Sequence, residues 1–244
     1  MSILLNALKR LVSDTLSLLL PAHCPVCGEQ LLEQEKFVCT ACRYRAPMTN
    51  FWREPDNPMA RKFWGLLPIE RASAFIWFIE ESRWRDLIHT FKYRKGWLAA
   101  QRMGEWYGAE MMRAGALEGI DLIIPVPLHW RKRLARGYNQ SEYIADGIAR
   151  SSGVAVDKRS VRRTRNNPSQ AQRSRNERWD NVEGIFKVVR ADRLRARHIL
   201  IVDDVFTTGA TISSCAEAII EACEGDVRIS IATLAVSKRA LGDF

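Results

Sequence analysis

Two adjacent carboxylates, followed by hydroxyls and a glycine, mark the stretch of this sequence best suited to chemistry. Asp203 and Asp204 come directly after the apolar run Ile199-Leu200-Ile201-Val202, and Val205-Phe206 leads from them into Thr207-Thr208-Gly209-Ala210-Thr211. The apolar run predicts a strand buried on both faces and ending at the acids. The following segment, apolar at Ile212, Cys215, Ala216, Ile219 and Ile220, predicts a helix. A strand, an acid pair, a Thr/Gly loop and a helix in that order suit an anion. Backbone N–H groups of the loop and the first helical turn carry partial positive charge. Gly209 permits a positive φ, and Thr207, Thr208 and Thr211 add hydroxyl donors. The acids lie too close to that anion to contact it. They suit hydroxyl groups, or a cation bound with a phosphorylated ligand. The same residues also fit an ordinary strand-to-helix turn, with a threonine cap and a solvated acid pair.

A second cluster lies near the amino terminus. Cys24-x-x-Cys27 and Cys39-x-x-Cys42 form two knuckles eleven residues apart, with Gly28 at a tight turn. Four thiolates about 2.3 Å from one Zn²⁺ ion make a closed structural tetrahedron. Disulfides and a redox pair are the alternatives. The absence of a signal-peptide pattern points to a reducing, cytoplasmic compartment, which disfavours disulfides. A lone redox pair leaves the second knuckle without a purpose. His23 offers a substitute ligand, and Cys215 and Cys223 read as core thiols.

Length and pattern supply the elements that must position these groups. The 244 residues suit one α/β domain with a small appendage, and 47% apolar content allows a sizeable core. The net charge of +9 favours anionic partners and says nothing of fold. No apolar run reaches the length of about 18 residues that a membrane span requires. Residues Ile3 to Leu20 predict an amphipathic helix with Leu4, Leu8, Leu11, Val12, Thr15 and Leu19 on one side. It docks on the protein's own surface or on a membrane surface. Four prolines between Arg43 and Pro68 mark a break. The expected division is a helix and zinc module over 1–50, a linker over 51–68 and the α/β domain over 69–244. Phe51, Trp52, Phe63 and Trp64 suggest that the linker packs down.

Within the larger domain, Ala72–Ile79 predicts a strand, and Ser82 caps a helix through Trp84, Leu87, Ile88 and Phe91. Trp97–Met112 predicts another helix. Ile120–Ile124 predicts a second buried strand, emptying into Pro125-Val126-Pro127-Leu128-His129. Ligands of such sheets bind outside the carboxyl ends of strands. Gly137-Tyr138-Asn139-Gln140-Ser141-Glu142 opens a helix to about Ser151, with Gly153 as its stop. Lys158 to Arg178 is strongly basic and reads as a loop or loose hairpin. Its roles are a lid, a nucleic-acid arm or a solvated loop. Val227–Val236 predicts a closing strand.

The stretch from Ile199 to Thr211 resembles the signature by which type I phosphoribosyltransferases bind 5-phosphoribosyl 1-pyrophosphate (PRPP). The resemblance extends to the ComF family through Pro125-Val126-Pro127-Leu128-His129, Arg136-Gly137-Tyr138-Asn139-Gln140-Ser141-Glu142, Asn167-Pro168-Ser169-Gln170 and Arg173-Ser174-Arg175-Asn176. Asn181, Phe186, Phe91 to Gly96 and the cysteine knuckles also fit. It covers nearly the whole chain.

The resemblance implies a type I phosphoribosyltransferase-like parallel sheet flanked by helices, with an amino-terminal four-cysteine zinc module. It implies that Asp203 and Asp204 hold the ribose and act in catalysis, that Thr207, Thr208, Gly209, Ala210 and Thr211 hold the 5′-phosphate, and that Val126, Pro127 and Leu128 form the pyrophosphate loop. Arg163, Arg165 and Arg173 fall where a lid closes over pyrophosphate. Mg²⁺ accompanies PRPP, and Zn²⁺ is structural. The implied role is DNA uptake and utilisation in competence, with phosphoribosyl transfer to an unidentified acceptor, in contact with other DNA-uptake proteins. The competing reading is a non-catalytic PRPP sensor that binds single-stranded DNA, with Trp84, Phe91, Tyr93 and Trp97 among Arg85, Lys92, Arg94 and Lys95. Core packing is the plain alternative for Trp84 and Phe91. The motifs leave the reaction itself open.

Overall fold

The computed structural model describes residues 22–93, 96–165 and 184–242. The expected amino-terminal helix and the motifs between residues 166 and 183, Arg173 included, lie outside the described residues. The chain divides into two compact units, Met1–Ala46 and Pro47–Phe244. In the first, a bridge between His23 and Gln30 closes a turn, and a short helix α1 covers Thr40–Tyr44.

The second unit is built on a parallel sheet. Its elements in chain order are β1 (Ile69–Phe78), α2 (Arg83–Thr90), α3 (Trp97–Arg113), β2 (Leu122–Pro125), α4 (Trp130–Arg136), α5 (Gln140–Ser152), β3 (Ala155–Val156), β4 (Val161–Arg163), β5 (Phe186–Val188), β6 (Arg197–Phe206), α6 (Ala210–Ala222), β7 (Val227–Ser237) and α7 (Lys238–Leu241). Among the described residues the sheet has five strands in the order β1-β7-β6-β2-β3, all parallel, and β4 and β5 form a separate antiparallel pair. This is the α/β fold expected of the sequence.

Strand alternation sorts the core into two layers. On β1, Ala72 and Ala74 face a cluster with Ile199, Ile201, Ile229 and Ile231, covered by Ile212, Cys215 and Ile219 of α6. Ser73 and Phe75 point the other way. Ser73 Oγ lies 2.6 Å from Tyr107 Oη of α3, and the Tyr107 ring stacks on Phe75 at 4.9 Å. Helix α5 packs beside α3 at backbone contact. A Cβ on Gly147 would stand 2.1 Å from the Gln101 carbonyl oxygen, and one on Gly104 would stand 2.3 Å from that of Ile144. Only glycine permits this approach, and it fixes where α5 begins.

Residues 51–68, expected as a linker, pack into the second unit. Phe51, Trp52, Met59, Ala60 and Phe63 are buried. Trp52 meets Phe75 and Tyr107, and Phe51 meets Trp77. Buried Asn57 organises this irregular chain. Its Nδ2 donates to the carbonyls of Phe51, Glu54 and Ala72, and its Oδ1 accepts from the N–H groups of Met59 and Ala60. Side-chain hydrogen bonds here replace the backbone ladder that the prolines preclude.

Candidate ligand site and metal centre

The site lies where β2 and β6 run side by side, with Leu122–Pro125 in register with Ile199–Val202. From β2 the chain returns to β3 on one flank, and from β6 it returns to β7 on the other. A crevice opens at the carboxyl ends of strands at such a reversal. Strand β6 extends four residues past the expected end, through Asp203 and Asp204 to Phe206. The acids therefore sit on regular strand backbone. Asp203, Phe206, Thr207, Thr208, Gly209, Thr211 and Thr233 line an open cleft.

The loop that closes this cleft is shaped by Gly209. Its φ is +80°, and a Cβ there would fall 2.9 Å from the Phe206 ring. Phe206 in turn meets Phe63 edge-on at 5.8 Å. Thr207, Thr208 and Thr211 are exposed, and the Thr208 hydroxyl accepts from the Ala210 N–H at 3.4 Å. Helix α6 starts at Ala210, two residues before its apolar stripe, so its free N–H groups face the cleft end of β6.

The acid pair is held from α5. Ser141 Oγ donates to Asp203 Oδ1 at 2.8 Å, and Gln140 Nε2 donates to Asp204 Oδ2 at 3.0 Å. The Asp204 N–H also donates to Asp203 Oδ1 at 2.9 Å. Burial, then the neighbouring Asp204 charge, raises the Asp203 pKa to about 7, with Ser141, the Asp204 amide and Arg163 opposing the rise. Burial and the Asp203 charge also raise the thiol of Cys215 behind it.

The residues expected to form the pyrophosphate loop behave unequally. Val126 is buried, its N–H donates to Val202 O at 2.8 Å, and its carbonyl accepts from Asn139 Nδ2 at 3.0 Å. Both its polar groups are thus committed within the protein, and Val126 supports the loop without facing a ligand. Pro127 and Leu128 are half-buried.

Cations converge beside the acids. Arg163 lies within electrostatic reach of Asp203, and its guanidinium sits 5.5 Å over the Phe186 ring. Burial, then Arg163, Arg136 and Lys92, lowers the Lys132 pKa. Neither Lys132 nor Arg163 is in an ion pair among the described residues. Arg165 is exposed and offers its carbonyl to Arg163 Nε at 3.4 Å.

Of the aromatic side chains considered for base stacking, Trp84 and Phe91 belong to the core. Tyr93 and Trp97 are 68% and 40% exposed, and Arg94 and Lys95 lie outside the described residues. Sequence reasoning passed over Asn139, Gln140, Ser141 and Lys132 as site residues. An N-cap residue type, Asn139, followed by an amide and a hydroxyl side chain in the first turn of a helix is the available signal.

In the first unit Cys24, Cys27, Cys39 and Cys42 bring their sulfurs within 4.8 Å of one another, with Cys27 and Cys39 Sγ 3.6 Å apart. The Cys42 N–H points to Cys39 Sγ, and the Cys39 N–H points to Cys24 Sγ, both at 3.4 Å. A tetrahedron with metal–sulfur bonds of about 2.3 Å has edges of about 3.8 Å. The four thiols fit such an ion, and the cluster can hold a metal.

No family model matches the chain. The chain is 32% identical over 134 residues to DNA utilization protein YhgH of Shigella flexneri, which is 54% of this chain and 58% of that one. It is 29% identical over 131 residues to Competence protein F of Haemophilus influenzae, covering 52% and 57%. The chain is similar to these proteins over that span. It spans little more than half the length of the curated relatives it matches. Among solved structures, hypoxanthine phosphoribosyltransferase from Staphylococcus aureus matches with a TM-score of 0.38 at 17% identity, over 59% of this chain and 67% of that one. Glutamine phosphoribosylpyrophosphate amidotransferase from B. subtilis, in complex with ADP and GMP, matches at 0.36 and 20%, over 54% and 26%. Among the described residues no helix is long and apolar enough to cross a membrane.

Proposed function

We propose that the second unit binds PRPP with Mg²⁺ in the crevice between β2 and β6, and that the protein serves DNA utilisation in competence, as its relatives' names suggest. One observation carries the reading. Two adjacent carboxylates lie near the end of a central strand, an open Thr/Gly loop at a helix start follows them, and Arg163, in no ion pair among the described residues, lies within electrostatic reach of Asp203 with Lys132 near it. Asp203 and Asp204 face the ribose hydroxyls. Thr207, Thr208, Gly209, Ala210 and Thr211 enclose the 5′-phosphate with backbone N–H groups and hydroxyls. Lys132 and Arg163 meet the pyrophosphate, and Arg165 and Arg173 extend the same basic segment.

The chemistry such a site supports is loss of pyrophosphate from C1 of the ribose, with transfer to an acceptor. Positive charge builds on C1 and the ring oxygen as the bond breaks. The chain's contribution is therefore geometry and stabilisation of the leaving group. Adjacent carboxylate oxygens suit a hard cation, so Asp203 and Asp204 would hold Mg²⁺ with the substrate, where it would neutralise phosphate charge. In the first unit Cys24, Cys27, Cys39 and Cys42 hold a structural Zn²⁺.

Calorimetry with PRPP and Mg²⁺ tests the site. Binding by the wild type that Asp204→Asn abolishes is expected; no heat from the wild type overturns the reading. Release of pyrophosphate in the presence of candidate acceptors then separates an enzyme from a sensor. The sensor reading has its own support, since exposed Tyr93 and Trp97 adjoin Lys92 and resemble a stacking surface for single-stranded DNA. Binding of a labelled strand that weakens steeply with salt is its expected signature.

A further inference from the structure

Four consecutive buried residues, Tyr138, Asn139, Gln140 and Ser141, each direct a polar group to a different part of the site. The Tyr138 hydroxyl lies 2.6 Å from the carbonyl oxygens of both Phe91 and Tyr93 and shares its one proton between them, and Asn139 Nδ2 donates to Val126 O. Ser141 reaches Asp203, and Gln140 reaches Asp204. Three of the four side chains are thereby fully accounted for. Gln140 is not. It is only 5% exposed, and its Oε1 has no hydrogen-bond partner.

The orientation of this amide follows from its neighbour. An ionised carboxylate only accepts, so the group facing Asp204 must be the Nε2 donor. The carbonyl oxygen is then left as a buried acceptor next to the acid pair that borders the cleft. A buried acceptor without a donor is unfavourable, and one beside a ligand site is explained by a donor that arrives with the ligand.

We propose that Gln140 is a positioning and specificity residue for the sugar: its Nε2 orients the Asp204 carboxylate, and its Oε1 accepts a hydrogen bond from an O–H donor of the bound ligand. The inference rests on the sugar-phosphate reading of the acid pair. An O–H donor has two sources, a ribose hydroxyl or a water carried in on Mg²⁺. Titratable groups around the amide are Asp204 on β6, Asp203 beside it and Arg163 from β4.

Calorimetry with PRPP and Mg²⁺ on the full chain tests this, using the wild type, Gln140→Met, Gln140→Glu and Asp204→Asn. Gln140→Met keeps the volume and loses both polar atoms. A loss of affinity of tenfold or more is expected, with a melting temperature near that of the wild type. Gln140→Glu sets a carboxylate against Asp204. It should bind poorly at pH 8 and recover as the pH falls toward 6, because a protonated carboxyl can again donate to Asp204. Gln140→Met should show no such recovery, which a merely structural role does not explain. Ribose 5-phosphate in chelator assigns the donor to the sugar if Gln140→Met still costs affinity there, and to metal-bound water if the loss appears only with Mg²⁺. Binding that Asp204→Asn abolishes but Gln140→Met leaves within twofold overturns this inference alone. An inert wild type, or an Asp204→Asn variant that binds as tightly, overturns the sugar-phosphate reading and this inference with it.

Discussion

Ser141 Oγ donates a 2.8 Å hydrogen bond to Asp203 Oδ1, and so ties the first turn of α5 to the end of β6. The acid it holds is out of the ordinary. Burial and the adjacent Asp204 raise the Asp203 pKa to about 7, against a typical 3.9 in an unfolded chain. The folded protein therefore keeps a proton that the unfolded chain has already lost at pH 5. The stability this contributes is fully present below about pH 4 and is lost as the pH rises to about 7. Above that the cost is constant. Asp203→Asn removes the titration and should overtake the wild type in stability as the pH rises. The gap between the two should widen by on the order of 2 kcal/mol between pH 5 and pH 8, measured by denaturant unfolding. A gap that stays level across that range removes the assignment.

The two helices that carry Gln101 and Gly147 leave no room for a methyl group between them. In Gly147→Ala the new Cβ would meet the Gln101 carbonyl at 2.1 Å and the Glu105 nitrogen at 2.6 Å, both backbone atoms. Neither can swing aside, so α3 and α5 must separate. We predict a loss of about 3 kcal/mol or more. Because α5 begins at the acid pair, PRPP affinity should fall with stability. Gly153→Ala is the control. Its φ of +75° is strained for alanine but its Cβ would meet nothing, so a cost of about 1 kcal/mol is expected with affinity retained.

What was legible in the sequence follows from how locally each feature is encoded. Strand β6 and helix α6 were readable because Ile199–Val202 is an unbroken apolar run and Ile212–Ile220 repeats with a helical period. The cysteine cluster was readable because its ligands come in two close pairs. Residues 51–68 were read as a linker because their order depends on Asn57 bonding to Ala72, fifteen residues away. No local period records such a contact. Helix α4 was hidden for a related reason. Its Trp130 and Leu134 are exposed and its cations face several ways, so it carries no buried stripe. Gln140 and Ser141 looked like ordinary first-turn residues. Their role appears only when Asp203 and Asp204, more than sixty positions later, fold beside them.

The first unit should depend on its metal. Helix α1 has only five residues and none of them is buried, so it has little stability of its own. Removing the ion with a strong chelator should expose residues 22–46 to limited proteolysis while the second unit keeps its melting transition. Elemental analysis should find about one zinc per chain. Cys39→Ser should reproduce the chelated state, since Cys39 both caps α1 and supplies a sulfur. Protection of the segment in metal-free protein would remove the structural role.

Lys132 and Arg163 should distinguish the two phosphorylated ends of the ligand. Both are partly buried and lie near each other, Lys132 has Arg136 and Lys92 as further cationic neighbours, and neither has an ion-pair partner among the described residues, although Arg163 feels Asp203. A phosphate offers these cations a better partner, each charge-assisted hydrogen bond to it contributing about 1.5–3 kcal/mol. Lys132→Gln and Arg163→Gln should therefore weaken PRPP binding by about tenfold or more each. Ribose 5-phosphate lacks the pyrophosphate and is held through Thr207 to Thr211, so its affinity should stay within about twofold in both variants. Thr211→Val should show no such preference, weakening both ligands alike. If the lysine and arginine variants lose ribose 5-phosphate as strongly as PRPP, the cations serve the acid pair or the 5′-phosphate, and the polarity assigned to the site is reversed.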